Sequence, residues 1–301
     1  MADLFGNNLA NNLIEGVAAD NILGAGGNDT LNGGGGNHSI YGDSENDLLN
    51  SGAGQDFVYG GEGNDALNAL EADIDNGIGD DVYIGEGKDT LNTLEAGIDN
   101  GATIYGDDSA DYIIIGTQGS DTIFAGGGND TVDGRGGNDL IYGESGNDSL
   151  YGGAGLDSIN GGSGNDTLNG GGGNDTLTGG SGSDRFLFNT ALATAGVDRI
   201  TDFSISSNDK IVLDKSVFSA LETPAGNVLR ITDFAVINVG AAAEVVAAGN
   251  RVNEIVYNRQ TGNLFYNPNS NAAGFGPGGG RFATIVGSPD NLSHTHFLVV
   301  P

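Results

Sequence analysis

Aspartate recurs every nine residues without slippage at Asp121, Asp130, Asp139, Asp148, Asp157, Asp166, Asp175 and Asp184. Two residues after each stands an apolar side chain: Ile123, Val132, Ile141, Leu150, Ile159, Leu168, Leu177 and Phe186. Two residues before each stands a glycine, from Gly119 through Gly182. Three ladders held in step over eight copies require a chain that repeats in space as it does in sequence, which is a solenoid. In the best copies, 161–169 and 170–178, six residues read as a turn and three as a short strand. Glycines at the first, second and fourth places permit positive φ and let backbone carbonyls turn inward. The apolar eighth place points into the solenoid.

The acid row points to a hard divalent cation, Ca²⁺ first. Calcium takes six to eight oxygens from carboxylates and carbonyls. No single loop of this repeat offers that many, whereas two loops stacked one turn apart do, with one Asp from each. The expected ligands are Asp121, Asp130, Asp139, Asp148, Asp157, Asp166, Asp175 and Asp184.

The copies GGSGNDTLN and GGGGNDTLT resemble the nonapeptide repeat G-G-x-G-x-D-x-U-x of the RTX (repeats-in-toxin) family. The resemblance implies an all-β fold: a parallel β-roll with two repeats per turn and Ca²⁺ between loops i and i+2.

The nine-residue ladder also runs through Leu4, Leu13, Ile22, Leu31, Ile40, Leu49, Val58 and Leu67. The acid place two residues earlier reads Asn11, Asp20, Asp29, His38, Asp47, Asp56 and Asp65. Asp29, Asp47 and Asp65 fall on one side of the roll, and Asp20, His38 and Asp56 on the other. Asp29, Asp47, Asp56 and Asp65 are the expected metal ligands here, with the first side binding better. Asn11 reads as a structural hydrogen-bonded turn; His38 admits two readings, a ligand for a softer metal and, favoured for one His among carboxylates, a side chain that fills a gap in the row.

Residues 66–115 depart from the period: Leu67 to Ile123 is 56 residues, not a multiple of nine. DALNALEADIDNG (65–77) and DTLNTLEAGIDNG (89–101) form a second repeat offset by 24. Their leucine spacing admits a helix. The apolar runs ATIYG and DYIIIG favour wider, metal-free solenoid turns, with room for one isolated site at Asp81 or Asp89. From residue 185 the period stops, and RFLF, DRITDF, DKIVLD, VLRITDF, EIVYNRQTGNLFYN, RFATIVG and HFLVV read as strands, with NRQTGN a hairpin turn. This segment is similar to the one that follows the repeats in serralysin-like proteases and other type I secreted proteins. The resemblance implies a domain that caps the roll and carries an uncleaved C-terminal secretion signal, read by the type I secretion machinery. The expected division is 1–65, N-terminal roll; 66–115, degenerate insert; 116–186, regular roll; 187–301, β-rich cap and secretion domain.

Charge follows the repeat. Residues 1–184 carry 32 acids against Lys88 and Arg135, while residues 185–301 carry nine acids and eight bases. Such a chain repels nucleic acid and anionic membranes, and without cations it repels itself, so binding and folding should be one event. It has no Cys, no basic, apolar leader in MADLFGNNLANN and no apolar run long enough to span a bilayer. Millimolar calcium is an extracellular condition, so the chain should be secreted, unfolded before export and folded after it.

No HExxH, GxSxG or P-loop occurs. The ladder starts at Leu4, leaving no space for a catalytic domain, and the expectation is a non-enzyme. His294 and His296 read as alternate residues of a strand with a surface or secretion role. Two classes compete: a calcium-hardened structural or surface protein, and a secreted adhesin, effector or membrane-active module. An adhesin should show an exposed aromatic stripe, and the few aromatics here (Tyr41, Phe57, Tyr59, Tyr142, Tyr151) favour the first class. Leu4, Phe5, Leu9 and Leu13 should lie at an open end of the stack that a second copy could cover, giving head-to-tail filaments or a surface layer.

Overall fold

The structure, a computed structural model, describes residues 3–15, 20–54, 56–69, 81–86, 90–93, 101–108, 113–238, 255–268 and 279–301. The chain divides into two compact units, 1–153 and 154–301. Each is an all-β parallel β-solenoid.

In the first unit every nonapeptide delivers one short strand, and alternate strands join alternate sheets. One sheet stacks Leu4–Phe5, Asn21–Leu23, Ser39–Ser44, Phe57–Glu62, Asp81–Glu86, Thr103–Tyr105, Thr122–Phe124 and Leu140–Tyr142 in that order. The other stacks Asn12–Ile14, Thr30–Asn32, Leu48–Asn50, Ala66–Ala69, Thr90–Thr93, Ile113–Ile115, Thr131–Asp133 and Ser149–Ala154. Each described pair is parallel and in register, so each ladder residue sits on its equivalent: Ile22 on Ile40 on Val58, and Leu31 on Leu49 on Leu67. Between the sheets these side chains form a core whose members from Ile22 to Leu150 are at most 2% exposed on the ladder. The glycine-rich corners permit the close stacking. Gly52 has φ +93°, and a Cβ there would collide with the backbone of Gly34 one turn away.

The described strands of the irregular region stay in the stack, with more residues between one and the next. Val58 pairs with Val82 and Leu67 with Leu91, each 24 residues on. Val82 then pairs with Ile104, Leu91 with Ile114, and Ile104 with Ile123. The described strands of 66–115 therefore extend the same two sheets. The helix alternative on Leu67, Leu70 and Ile74 and on Leu91, Leu94 and Ile98 fails at its first residues, because Leu67 and Leu91 lie in paired strands; the rest of it, and the site considered at Asp89, lie outside the described residues. The Asp81 side chain does too.

A column of aromatic rings follows from this register. Tyr41, Tyr59, Tyr83, Tyr105, Phe124 and Tyr142 each follow a buried ladder residue, so they occupy one outward column of one sheet. Ring centroids are 4.6 Å apart for Tyr83–Tyr105, 5.4 Å for Tyr105–Phe124 and 5.1 Å for Phe124–Tyr142, with planes within 10° of parallel. Sequence placed Tyr83 and Tyr105 in an undecided insert, so only the pairing brings them into line.

In the second unit the nine-residue period ends but the parallel stack does not. Leu177 pairs with Ile200 and then Ile200 with Ile285, while Phe186 pairs with Ile211 and then Ile211 with Phe297. The chain therefore leaves the stack after Asp214 and returns at Gly280–Ile285 and Phe297–Val300 to lay down its last parallel strands. The excursion supplies antiparallel partners: Asn263–Tyr266 beside both Ile255–Asn258 and Gly280–Ile285, and Asn227–Val228 beside Phe297–Val300. The hairpin expected at NRQTGN forms between the first two. Phe218 packs edge-on against Tyr266 and Phe282, and Phe188 against Phe282, giving this end its own aromatic core. His294 and His296 lie in a 3-10 turn capped by Ser293 and not on a strand, which starts at Phe297. His294 Nδ1 donates to the Leu229 carbonyl and His296 Nδ1 accepts the Ser293 N–H, so the second ring caps its own turn and the first ties that turn to a distant segment.

Candidate metal centre

Every acid of the rows is buried, although carboxylates are seldom buried without a partner. Asp29, Asp47, Asp56, Asp65, Asp121, Asp130, Asp139, Asp148, Asp157, Asp166, Asp175 and Asp184 are all at most 4% exposed. The nine-residue period places them at the mouth of each turn, just before the strand. In both units, the backbone N–H of one acid donates to Oδ1 of the acid one turn on. Asp29 N–H reaches Asp47 at 2.8 Å, Asp47 reaches Asp65 at 2.8 Å and Asp121 reaches Asp139 at 2.8 Å. Asp130 reaches Asp148 at 2.9 Å, and Asp157 reaches Asp175 and Asp166 reaches Asp184 at 3.0 Å. Asn11 opens one row in the same way, its N–H 2.6 Å from Asp29 Oδ1.

That leaves the second oxygen. Oδ2 of Asp29, Asp47, Asp175 and Asp184 is buried without a hydrogen-bond partner. An ionised carboxylate only accepts, so each of these atoms needs a proton or a cation. Each faces the glycine five residues earlier. An added Cβ at Gly24 would lie 2.6 Å from Asp29 Oδ2 and 2.7 Å from the Gly42 carbonyl oxygen. At Gly134 it would lie 2.5 Å from Asp139 Oδ2 and 2.6 Å from the Gly152 carbonyl. The glycine thus keeps open a cradle lined by a carboxylate oxygen and a backbone carbonyl oxygen, the two donor types a hard cation takes.

Electrostatics agree. Burial raises the Asp29 carboxyl, and pushes Asp47 up to about 7, helped by the charges of Asp65, Asp29 and Glu45. Burial likewise pushes Asp56, Asp148 and Asp184 up to about 6. These groups resist ionisation in the folded chain unless positive charge is supplied. Among the described residues no three acid, imidazole or thiol side chains converge on a point. Any bound ion must therefore draw on loop carbonyls as well as on the rows. The donor set is oxygen throughout, apart from His38, and it fits calcium.

Sequence reasoning missed two members. Asp175 N–H donates to Asp198 Oδ1 at 3.2 Å and Asp184 N–H to Asp209 Oδ1 at 3.1 Å, so both rows continue past the last repeat. Asp198 and Asp209 are 4% and 2% exposed, and burial raises both carboxyls. Each stands two residues before a ladder residue, Ile200 and Ile211, as in the repeats. That spacing was the available signal, hidden by the longer loops. Asp202 adds a third acid, accepting Gly179 and Gly180 N–H at 2.9 and 2.7 Å. Asp20, also buried, shares its row with His38 and Asp56.

The family model for the RTX calcium-binding nonapeptide repeat (4 copies) matches residues 6–38, 16–49, 39–67, 115–150 and 151–186. A comparison with curated proteins finds no match. Among solved structures, the chain is similar to the AlgE6R3 subunit of the Azotobacter vinelandii mannuronan C5-epimerase, at 23% identity. The match covers 64% of this chain and 79% of that one, with a TM-score of 0.27.

Proposed function

We propose, for a chain whose residues 6–67 and 115–186 are RTX calcium-binding nonapeptide repeats, that it is a secreted structural or surface protein whose rolls fold when they bind Ca²⁺ outside the cell. The observation that carries this reading is the set of buried carboxylate oxygens without a protein partner, Oδ2 of Asp29, Asp47, Asp175 and Asp184. Bound calcium would supply the positive charge that lets these acids stay ionised in the core. The residues that hold it are Asp29, Asp47, Asp56, Asp65, Asp121, Asp130, Asp139, Asp148, Asp157, Asp166, Asp175 and Asp184, to which we add Asp198 and Asp209. The Oδ1 atoms tie successive turns through backbone N–H groups, so filling one cradle orders the next turn. Export uses the C-terminal ~50 residues as its signal, as the resemblance to type I substrates implies.

Circular dichroism with EGTA and then millimolar Ca²⁺ tests the folding step. A β-spectrum indifferent to chelation rejects it. Deleting 290–301 tests export, since the shortened chain should stay in the cell.

The adhesin reading gains the aromatic column as its one supporting feature. The rings from Tyr83 to Tyr142 stack face to face, so their faces are spent on one another and their edges point outward. That geometry suits a staple along the stack better than a platform for a ligand ring. For self-assembly, the support is apolar exposure at the first turn: Phe5 is 68%, Leu9 71% and Ile14 66% exposed. Leu4 and Leu13 are only half-buried there. A second copy covering them would give head-to-tail association. Phe5→Asp with Leu9→Asp should abolish calcium-dependent light scattering, and a strictly monomeric wild type at millimolar Ca²⁺ rejects the idea.

A further inference from the structure

One position in the acid rows carries an imidazole. His38 lies between Asp20 and Asp56 in its row and is 2% exposed. Its backbone N–H donates to Asp56 Oδ1 at 2.8 Å, the bond each acid makes to the next. An added Cβ at Gly33 would lie 2.9 Å from His38 Cδ2, so the ring occupies the cradle that a carboxylate occupies beside Gly24 and Gly134.

The hydrogen bonds fix the tautomer. His38 Nε2 is 3.2 Å from the Gly35 carbonyl oxygen, which can only accept, so Nε2 carries the hydrogen. In the neutral ring the lone pair is then on Nδ1. Nδ1 is buried without a hydrogen-bond partner, as is Oδ2 of Asp29 and Asp47 in the neighbouring row. A ring nitrogen aimed by a bond from its other N–H to a backbone carbonyl is the arrangement of metal-binding histidines. Calcium takes oxygen donors, whereas imidazole with carboxylate suits Zn²⁺ and its neighbours.

We propose that the Asp20–His38–Asp56 row binds a transition metal ion of the Zn²⁺ class through His38 Nδ1, with the Asp56 carboxylate beside it and loop carbonyls or water completing the shell. The site is built into a stack that otherwise selects Ca²⁺, and the inference rests on reading the rows as cation sites. The departure from the repeat at His38 is then a change of metal, not a filled gap.

The test uses the full chain folded in millimolar Ca²⁺ and dialysed against micromolar Zn²⁺. Metal content is read by mass spectrometry and the three imidazoles by ¹⁵N NMR. The wild type should retain a single Zn²⁺ against the calcium excess, with the His38 Nδ1 resonance shifted and those of His294 and His296 unmoved. His38→Gln should weaken Zn²⁺ binding by about 10–100-fold or more. His38→Asp, which restores the repeat, should lose Zn²⁺ and take up one further Ca²⁺. A folded, Ca²⁺-loaded wild type that keeps no Zn²⁺ overturns the proposal, as does equal Zn²⁺ retention by His38→Gln or a shift confined to His294 and His296. If the chain binds no Ca²⁺ at all, the reading of the rows falls as well. Normal Ca²⁺ binding without Zn²⁺ defeats this inference alone.

Discussion

In the absence of divalent cations the rolls should unfold at pH 7.5 and regain β-structure when the chelated sample is acidified to about pH 5. Asp47 is pushed up to about 7, and Asp56, Asp148 and Asp184 to about 6, from a usual 3.8, with burial the first cause in each. A raised carboxyl pKa means that the fold binds the proton more tightly than the open chain does. The penalty for burying these groups is absent below about pH 4, grows with pH and is complete once pH has passed about 6 to 7. At about 1.4 kcal/mol per pKa unit, shifts of two to three units at these four acids come to some 13 kcal/mol. Water reaches the loop rims, so on the order of 5 kcal/mol is the working figure, comparable to the whole stability of a small domain. Calcium offsets it: a site with Kd of ~0.1 mM in ~1 mM Ca²⁺ contributes about 1.4 kcal/mol, and several sites cover the deficit. The assay is far-UV circular dichroism in EGTA across this pH range at low protein concentration, because the sequence pI is about 4.1. The reasoning is refuted if the chelated protein keeps its full β-spectrum at pH 7.5, or loses structure further as the pH falls to 5.

Three more outcomes follow from the geometry. Gly134→Ala, whose Cβ would crowd Asp139 Oδ2 and the Gly152 carbonyl at 2.5 and 2.6 Å, should cost about 1–3 kcal/mol and lower calcium uptake; calorimetric titration beside the wild type measures both. Tyr105→Ala removes a ring stacked on Tyr83 and on Phe124, so the denaturation midpoint of residues 1–153 should fall by an amount worth about 2–3 kcal/mol even at saturating Ca²⁺. Asp198→Asn and Asp209→Asn should each reduce calcium capacity although they lie outside the repeats, and an unchanged stoichiometry would remove them from the rows.

The nonapeptide repeat carried most of the fold in the sequence alone. Apolar side chains nine residues apart can all be buried only if the chain coils with that period, and the acid two residues earlier must then form a row. Asp121 to Asp184 and Asp29 to Asp65 were therefore legible without coordinates, because the signal is local and repeats. Pairing across variable loops was not. Leu67 meets Leu91, and Phe186 meets Ile211, because the stack extends through backbone hydrogen bonds between neighbouring strands, which tolerate a turn of almost any length. Only that register aligns Tyr83 with Tyr105 in the aromatic column and carries the acid rows on to Asp198 and Asp209. His38 shows the same division. Sequence placed it in the row, but which ring nitrogen is spent on Gly35 and which is left over is fixed by a turn folded in three dimensions.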